Sequence, residues 1–178
     1  QMSIRDRCIS EKDRAIAYEI IKKNREARNF PLKLSWEQIR NTIQLIEADF
    51  FLVYTKLETF IASAIVFHIN HDIVQVIYWG DLPGYSEIKP MNFLSFKVFE
   101  HYKNNGKKIV DVGPSSEFSI PNYGLCEFKE SLGCTIDAKY TLTNNLCLLY
   151  TSDAADDLLC VDLVGRRLIK QKTINTPN

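Results

Sequence analysis

The densest group of side chains that could do chemistry lies between residues 111 and 133, where a predicted strand ends and a predicted helix follows. In open α/β sheets, the carboxyl ends of strands and the amino ends of helices form ligand crevices, because free backbone N–H groups there attract anions. Carboxylates in such a crevice could position or deprotonate an amine. The candidate residues of a substrate or phosphate pocket are Asp111, Ser115, Ser116, Glu117 and Asn122.

A purely structural interpretation of the same stretch is also open. Gly113 and Pro114 are turn formers, and Ser, Asp and Asn side chains often hydrogen-bond nearby backbone groups in turns and helix caps. Spacing alone favours this turn over a pocket, so the pocket interpretation depends on the elements around it.

Two amphipathic helices come first along the chain. Residues 12–28 carry apolar side chains at helical spacing among Lys, Arg and Glu, and Pro31 follows them. Ser35 and Gln38 form a capping-box pattern, which begins a second helix running to about Ile46. Both helices are predicted to be packing elements.

The pattern then changes to that of strands. Residues 50–55, 59–69 and 72–79 are rich in β-branched and aromatic residues, and the short links between them require antiparallel neighbours. The order is completed by a helix from Pro90 to Asn104, a strand at 108–112, a helix at 123–131 and a strand at 136–143. We therefore predict an α/β (α+β) fold, with a mixed, largely antiparallel sheet of five or six strands and four flanking helices.

This order of elements and three short motifs together carry a resemblance to a known family. The motifs are Asp-x-Gly-x-Ser-x-Glu at 111–117, Asn-x-Gly-Leu at 122–125 and Lys-Glu-x-x-Gly at 129–133. Over most of residues 8–143 the chain resembles the GNAT-type acyltransferase domain of the FemAB-like branch. The resemblance implies a GNAT fold that moves an acyl or aminoacyl group onto an amine. Larger members pair two such domains, so it also implies a missing N-terminal domain of the same chain.

The resemblance assigns roles to individual residues. The Phe-Lys pair of the aminoacyl-transferring relatives falls on Phe128 and Lys129, where the lysine would stabilise the oxyanion of a tetrahedral intermediate. The alternative for Lys129 is a solvated helix residue. Asp111 or Glu117 would position or deprotonate the acceptor amine.

Two aromatic residues are further candidates for substrate binding. Tyr78 and Trp79 end a predicted strand beside the loop where the donor would bind. They could line a pocket there, although core packing is the commoner use of aromatic residues at strand ends.

The predicted donor site departs from the family pattern. GNAT enzymes that use acetyl-CoA hold its pyrophosphate on a loop of the form Gln/Arg-x-x-Gly-x-Gly/Ala, whereas residues 79–89 offer Gly80 and Gly84 without that spacing. Backbone N–H groups at the start of the next helix could still bind an anion. No permanently bound cofactor is expected, and acyl-CoA would be a co-substrate. The candidate donor-binding residues are Gly84, Ser86, Glu87, Ile88 and Lys89.

Composition excludes several function classes. The 178 residues include 22 basic and 22 acidic ones, so no basic field is available to hold DNA. No apolar run approaches the length of a membrane span.

No metal site or reactive thiol is expected. His68 and His71 flank a predicted surface turn without a third ligand, and His101 lies on the polar side of its helix. Cys126 has no activating base.

Both ends of the chain look foreign to this domain. Residues 2–7 and 147–152 read as opposite strands of one DNA element that resembles the transposase end of a sequencing library, and residues 153–167 resemble translated adapter. We therefore expect residues 1–7 and 147–178 to be adapter-derived and to contribute little to the core. The GNAT-like domain would be residues 8–146, a fragment of a longer protein.

Together these features predict a bacterial, cytoplasmic N-acyltransferase. It would move an acyl group, such as acetyl, from a thioester to an amine of a small molecule or a cell-envelope precursor. The closest alternative is an aminoacyl-tRNA-dependent peptidoglycan aminoacyltransferase of the FemAB type, although the neutral chain supplies no basic groove for RNA. An alternative of another class is a non-catalytic scaffold or specificity half of a tandem protein.

Overall fold

A five-stranded sheet lies between two helical layers in the computed structural model, which describes residues 2–5, 10–117, 120–138 and 140. The helices are α1 (Glu11–Ala27), α2 (Trp36–Thr42), α3 (Pro90–Asn104) and α4 (Tyr123–Ser131). The strands are β1 (Met2–Arg5), β2 (Ala48–Thr55), β3 (Phe60–His68), β4 (Ile73–Asp81), β5 (Ile109–Asp111), β6 (Ser116–Glu117) and β7 (Ile120–Pro121). The predicted fold class, a mixed and largely antiparallel sheet flanked by helices, is confirmed.

The sheet has the order β1-β2-β3-β4-β5, in which the first four strands are antiparallel and β5 is parallel to β4. Pairing of β4 with β5 covers Ile73–Gln75 against Ile109–Asp111, yet β4 continues to Asp81. In the part of the sheet that the structure describes, the β5 side of Val76–Asp81 is therefore an unpaired edge. A sheet that separates at this point leaves room for a ligand beside the backbone of β4.

A β-bulge in β4 decides which way the next side chains point. Ile65 pairs with Tyr78 and Val66 with Val76, so Ile77 is an extra residue without an opposite partner. A bulge of this kind shifts the strand's alternation by one residue. Val76 and Trp79 consequently pack on the α3 side of the sheet, whereas Ile77 and Tyr78 pack on the α1 side.

The core is divided by the sheet into two apolar layers. Each is built from the alternate side chains of the central strands and one face of a helix. The layer against α3 contains Phe51, Val53, Ala64, Val66, Val74, Leu94 and Val98. The layer against α1 and α2 contains Ala17, Ile20, Ile21, Ile39, Phe50, Leu52, Ile65 and Phe67.

Polar caps fix where the first two helices begin. The Ser10 hydroxyl accepts a hydrogen bond from the Asp13 N–H at 3.1 Å at the start of α1. The predicted capping box of α2 is confirmed, with Ser35 Oγ accepting from Gln38 N at 3.2 Å and Gln38 Oε1 accepting from Ser35 N at 2.8 Å. The helix ends at Thr42 rather than at the predicted Ile46.

A buried polar network joins the start of β2 to the end of α3. The Asp49 carboxylate accepts a hydrogen bond from the Tyr102 hydroxyl at 2.9 Å and lies 2.7 Å from His68 Nε2. His68 ends β3 beside the turn that it was predicted to flank, and its imidazole pairs with a carboxylate that is only 5 % exposed. His101 was predicted to be solvated, but its ring packs edge-on against Phe51 at 5.3 Å between centroids.

The two ends of the chain, residues 1–7 and 147–178, were predicted to contribute little to the core. The prediction that residues 1–7 contribute little to the core is wrong for Met2–Arg5, which pair with β2 and bring Met2 and Ile4 against the α3-side layer. Residues 147–178 lie outside the described part of the chain. No described helix is long and apolar enough to cross a membrane.

The carboxyl-terminal part of the domain also differs from its prediction. Residues 136–138 are not in a strand, and most of the remainder of the predicted strand at 136–143 lies outside the described residues. The short ribbon of β6 and β7 was not predicted. A strand of two residues carries no hydrophobic alternation that a sequence pattern could reveal.

The packing of β1 yields a stability prediction. Ile4→Ala should lower the free energy of unfolding by about 1.5 kcal/mol, because it removes partly buried apolar surface from the α3-side layer. Ser3 is exposed on the same strand, so Ser3→Ala should change the free energy by less than about 0.5 kcal/mol. Urea denaturation of both variants measures the difference, and equal values would mean that β1 does not pack in solution.

Candidate active site

The opening in the sheet begins where Asp111 ends β5. Its Oδ2 accepts a hydrogen bond from Gln75 Nε2 at 3.0 Å, and its Oδ1 accepts one from the Gly113 N–H at 2.8 Å. Gly113 has a φ of +75°, a left-handed conformation that favours glycine, and a Cβ there would lie 3.9 Å from the Val76 carbonyl oxygen. The carboxylate therefore ties β5 to β4 and at the same time holds the turn that carries the chain away from β4.

Lys129 closes the same turn from the other side. It is 6 % exposed, and its ammonium donates to the carbonyl oxygens of Gly113 at 2.8 Å and Pro114 at 3.0 Å. The alternative prediction of a solvated helix residue is wrong. The arrangement places a buried positive charge directly beside the point where β4 and β5 separate.

Two of the predicted substrate-binding aromatics meet across the opening. The rings of Trp79 on β4 and Phe128 on α4 are 6.1 Å apart between centroids in an edge-to-face arrangement. Since Lys129 follows Phe128 in α4, one helix brings both the ring and the ammonium to the edge of β4. Trp79 on β4 and the Phe128–Lys129 pair on α4 therefore lie near the same edge of the sheet.

Tyr78 lies on the opposite side of the sheet from this group. Burial raises the pKa of its phenol, while the nearby Arg25 guanidinium and a hydrogen bond from the Leu34 backbone act in the opposite direction. The net shift is upward, so the hydroxyl keeps its proton at neutral pH. Tyr78 can therefore act as a hydrogen-bond donor on the α1 side of β4.

Asn122 serves the backbone of the loop and of α4. Asn122 Oδ1 accepts from Leu125 N at 3.1 Å as the N-cap of α4, and Asn122 N donates to the Ser115 carbonyl oxygen at 2.8 Å. The capping interpretation is thus confirmed for Asn122. Ser116 is exposed on β6, and the backbone of Glu117 follows it in the same strand, while the Glu117 side chain lies outside the described part.

The predicted donor loop and the start of the following helix both offer free backbone amides. A 3₁₀ turn at Ser86–Ile88 uses the Ile88 N–H for the Tyr85 carbonyl oxygen and the Lys89 N–H for that of Ser86. The N–H groups of Ser86 and Glu87 in this turn, and those of Met91 and Asn92 at the start of α3, have no acceptor among the described residues, and α3 has no side-chain cap. An anion could therefore be bound by the predicted turn or by the first turn of α3.

Other members of the predicted donor set shape this loop. Gly84 has a φ of +92° and Lys89 a φ of +50°, so both are in the left-handed region. Glycine adopts that conformation freely, whereas a lysine there is strained. Glu87 and Ile88 are exposed in the 3₁₀ turn, and Lys89 is exposed at the start of α3. The exposed Lys89 ammonium adds a positive charge beside the free amides.

Sequence reasoning missed the contact between α1 and the end of β4. Asn24 Nδ2 donates to the Asp81 carbonyl oxygen at 2.7 Å and to Asp81 Oδ1 at 3.0 Å. A Cβ at Gly80 would lie 2.8 Å from Asn24 Cγ, so Gly80 is needed for this close approach rather than for a donor loop. The helical spacing of Asn24 from Ala17, Ile20 and Ile21 on the buried face of α1 is the signal that could have revealed it.

Comparison with known proteins supports the fold. No family model matches the chain, and no curated protein matches it. Among solved structures, an aminoglycoside 6'-N-acetyltransferase from Acinetobacter baumannii is 15 % identical with a TM-score of 0.55, covering 82 % of this chain and 99 % of its own. An aminoglycoside acetyltransferase from an uncultured soil metagenomic sample is 10 % identical with a TM-score of 0.58, covering 81 % and 95 %.

A third similar structure contains a donor. A GNAT family acetyltransferase from Elizabethkingia anophelis with acetyl-CoA bound is 12 % identical with a TM-score of 0.52, and the match covers 73 % of each chain. At these identities the likeness concerns the backbone. The chain has a GNAT-like fold, as its resemblance to that family implied.

Lys129 should contribute measurably to stability. Lys129→Met keeps the length of the side chain but leaves the Gly113 and Pro114 carbonyl oxygens without this donor, so the free energy of unfolding should fall by about 2 kcal/mol. Lys97 forms a surface ion pair with Glu100 at 2.7 Å, and Lys97→Met should cost less than about 0.5 kcal/mol. Urea denaturation compares the two variants. A similarly small loss of unfolding free energy in both would mean that Lys129 does not hold the turn at Gly113 and Pro114.

The raised pKa of Tyr78 predicts a loss of stability at alkaline pH. The native state keeps the phenolic proton at a pH where the unfolded chain, with a pKa near 10.0, has lost it. This contribution is present below about pH 10 and is lost as the pH rises towards the folded pKa. The stability of the wild type relative to Tyr78→Phe should therefore fall as the pH rises above about 10. Profiles that stay parallel would show that the phenol titrates normally.

Proposed function

We propose that the protein is an N-acyltransferase that moves an acyl group, in the simplest case acetyl, from an acyl-CoA thioester to an amine. The observation that carries this proposal is the unpaired edge of β4 beyond the end of β5. It occurs in a fold similar to that of solved acetyltransferases, one of which has acetyl-CoA bound. The acceptor would be a small molecule or a cell-envelope precursor.

The amino end of α3 is suited to the pyrophosphate of the donor. The free N–H groups of Met91 and Asn92 and the partial positive charge of the helix end favour an anion. The Lys89 ammonium would add to this attraction. The acyl arm would then extend along the free edge of β4, beside Trp79 and Phe128.

Transfer would proceed by direct attack of the amine on the thioester. The amine nitrogen bonds to the carbonyl carbon, the tetrahedral oxyanion collapses, and the carbon–sulfur bond breaks to release CoA thiolate. The proton lost by the amine would pass to Glu117, and the thiolate would leave as the thiol after taking up a proton. The buried Lys129 ammonium would support the oxyanion.

The remaining predicted residues would act around this centre. Asp111 would keep the turn at Gly113 in place, because both of its oxygens already accept hydrogen bonds. Ser115 and Ser116 would line the approach of the acceptor, and Asn122 would position α4 as its cap. Cys126 and Cys134 are free thiols, which fits a reducing, cytoplasmic compartment.

A FemAB-like donor is the second candidate, favoured by one observation. A left-handed Lys89 stands at the start of α3, where a glycine would adopt the same backbone without strain. A donor that does not need a glycine-rich cradle, such as an aminoacyl-tRNA, fits that departure. The third candidate is a non-catalytic half of a tandem protein, which would bind neither donor.

Donor binding separates the three candidates. Acetyl-CoA should bind the full chain in titration calorimetry, and Lys89→Glu should weaken its affinity about tenfold because it reverses a charge beside the pyrophosphate. Lys103 lies in the last turn of the same helix, so Lys103→Glu should leave the affinity within about twofold of the wild type.

Each alternative predicts a different result. Binding of an aminoacyl-tRNA analogue without binding of any acyl-CoA would favour the FemAB-type activity. Binding of neither donor would favour the non-catalytic half. Equal weakening by Lys89→Glu and Lys103→Glu would remove the amino end of α3 as the pyrophosphate site.

A further inference from the structure

Arg25 is a partly buried cation that the described residues do not neutralise. It lies in the last turn of α1, and its Nε is buried without a hydrogen-bond partner. No carboxylate of the described residues forms an ion pair with its guanidinium. A buried donor is normally satisfied, and a buried charge is normally paired. An arginine left in this state is suited to an anionic ligand.

Asp81, the acidic residue at the end of β4, is bound by other groups. Asp81 accepts from Asn24 at 3.0 Å and lies 3.7 Å from the guanidinium of Arg28. The two arginines of this end of α1 therefore differ. Arg28 is exposed and paired, whereas Arg25 is inserted towards β4 and unpaired.

Arg25 lies beside the end of β4, because the preceding residue, Asn24, binds Asp81 there. Its charge acts on the hydroxyl of Tyr78, which belongs to the stretch Val76–Asp81. Both side chains lie on the α1 side of the sheet. Trp79 and the apolar residues at the start of α3, such as Met91, pack on the other side. The unpaired edge of β4 is where groups from the two sides can meet.

A donor held on the α3 side leaves the α1 side for the acceptor. We propose that Arg25, together with the Tyr78 hydroxyl, binds an anionic oxygen group of the amine acceptor, a carboxylate or a phosphate. This inference rests on the proposed acyl transfer and names the substrate class of that site. A guanidinium presents paired N–H donors in a plane, and these match the oxygens of either group. The same charge disfavours polycationic acceptors such as aminoglycosides.

Matched acceptors test the inference with the full chain and acetyl-CoA. β-Alanine is compared with its amide, which tests for a carboxylate. Phosphoethanolamine is compared with ethanolamine, which tests for a phosphate. At least one anionic amine should have a kcat/KM about tenfold or more above that of its neutral partner, and above that of an aminoglycoside.

Variants assign the preference to Arg25. Arg25→Ala should abolish this preference by raising the KM for the anionic amine. The KM for acetyl-CoA should stay within about twofold of the wild type. Arg25→Lys keeps the charge without the planar fork and should retain part of the preference. Arg28→Ala, the control on the same turn, should retain all of it. Binding of acetyl-CoA by each variant shows that it is folded.

The possible failures are distinguishable. A wild type that shows no preference in either pair, or that prefers the aminoglycoside, would overturn the inference while leaving acyl transfer intact. A preference that survives in Arg25→Ala would also overturn the inference and leave acyl transfer intact. Donor binding without transfer to any of the four amines would also overturn it. Absence of acetyl-CoA binding would remove the proposed function and the inference with it.

Discussion

The structure depends on where the parallel pairing of β4 and β5 stops. Three residues of each strand pair, and the Asp111 carboxylate then binds both the Gln75 amide and the Gly113 N–H. The Lys129 ammonium holds the carbonyl oxygens of the same turn from α4. Because a carboxylate and an ammonium fix the turn from two directions, the chain leaves the sheet at one defined place. The free edge of β4 follows from that constraint.

The bulge in β4 distributes side chains around the free edge. Without Ile77 as an extra residue, simple alternation after Val76 would send Tyr78 towards α3 and Trp79 towards α1. With it, Trp79 meets Phe128 on one side and Tyr78 lies near Arg25 on the other. The two sides of the edge thus carry different side chains.

The close packing of α1 on β4 determines the surroundings of Arg25. Gly80 allows Asn24 to approach the backbone, and the Asn24 amide binds Asp81. Asp81 is thereby held at the end of the strand, where it also lies 3.7 Å from the Arg28 guanidinium. A larger residue at position 80 would push α1 away and change the surroundings of Tyr78. Packing and charge at this end of the helix are therefore coupled.

Much of the fold could be predicted from the sequence, because helices and strands follow local apolar periodicity and local caps. The capping box at Ser35, the helix beginning at Pro90 and the antiparallel order of β2, β3 and β4 all depend on neighbouring residues alone. The position of Asp111 at a strand end, and the capping role of Asn122, were also evident from spacing.

Only the tertiary structure decided which side chains share a region and which are neutralised. The partners of Lys129 are carbonyl oxygens 15 and 16 residues away, and no local pattern encodes such a contact. The bulge that separates Tyr78 from Trp79 depends on the register with β3. The pairing of His68 with Asp49 and the unpaired state of Arg25 depend on how helices and strands pack. The sequence by itself determined the helices and the central strands β2, β3, β4 and β5, because those rest on local energies. Long-range packing alone determined the electrostatics of the site.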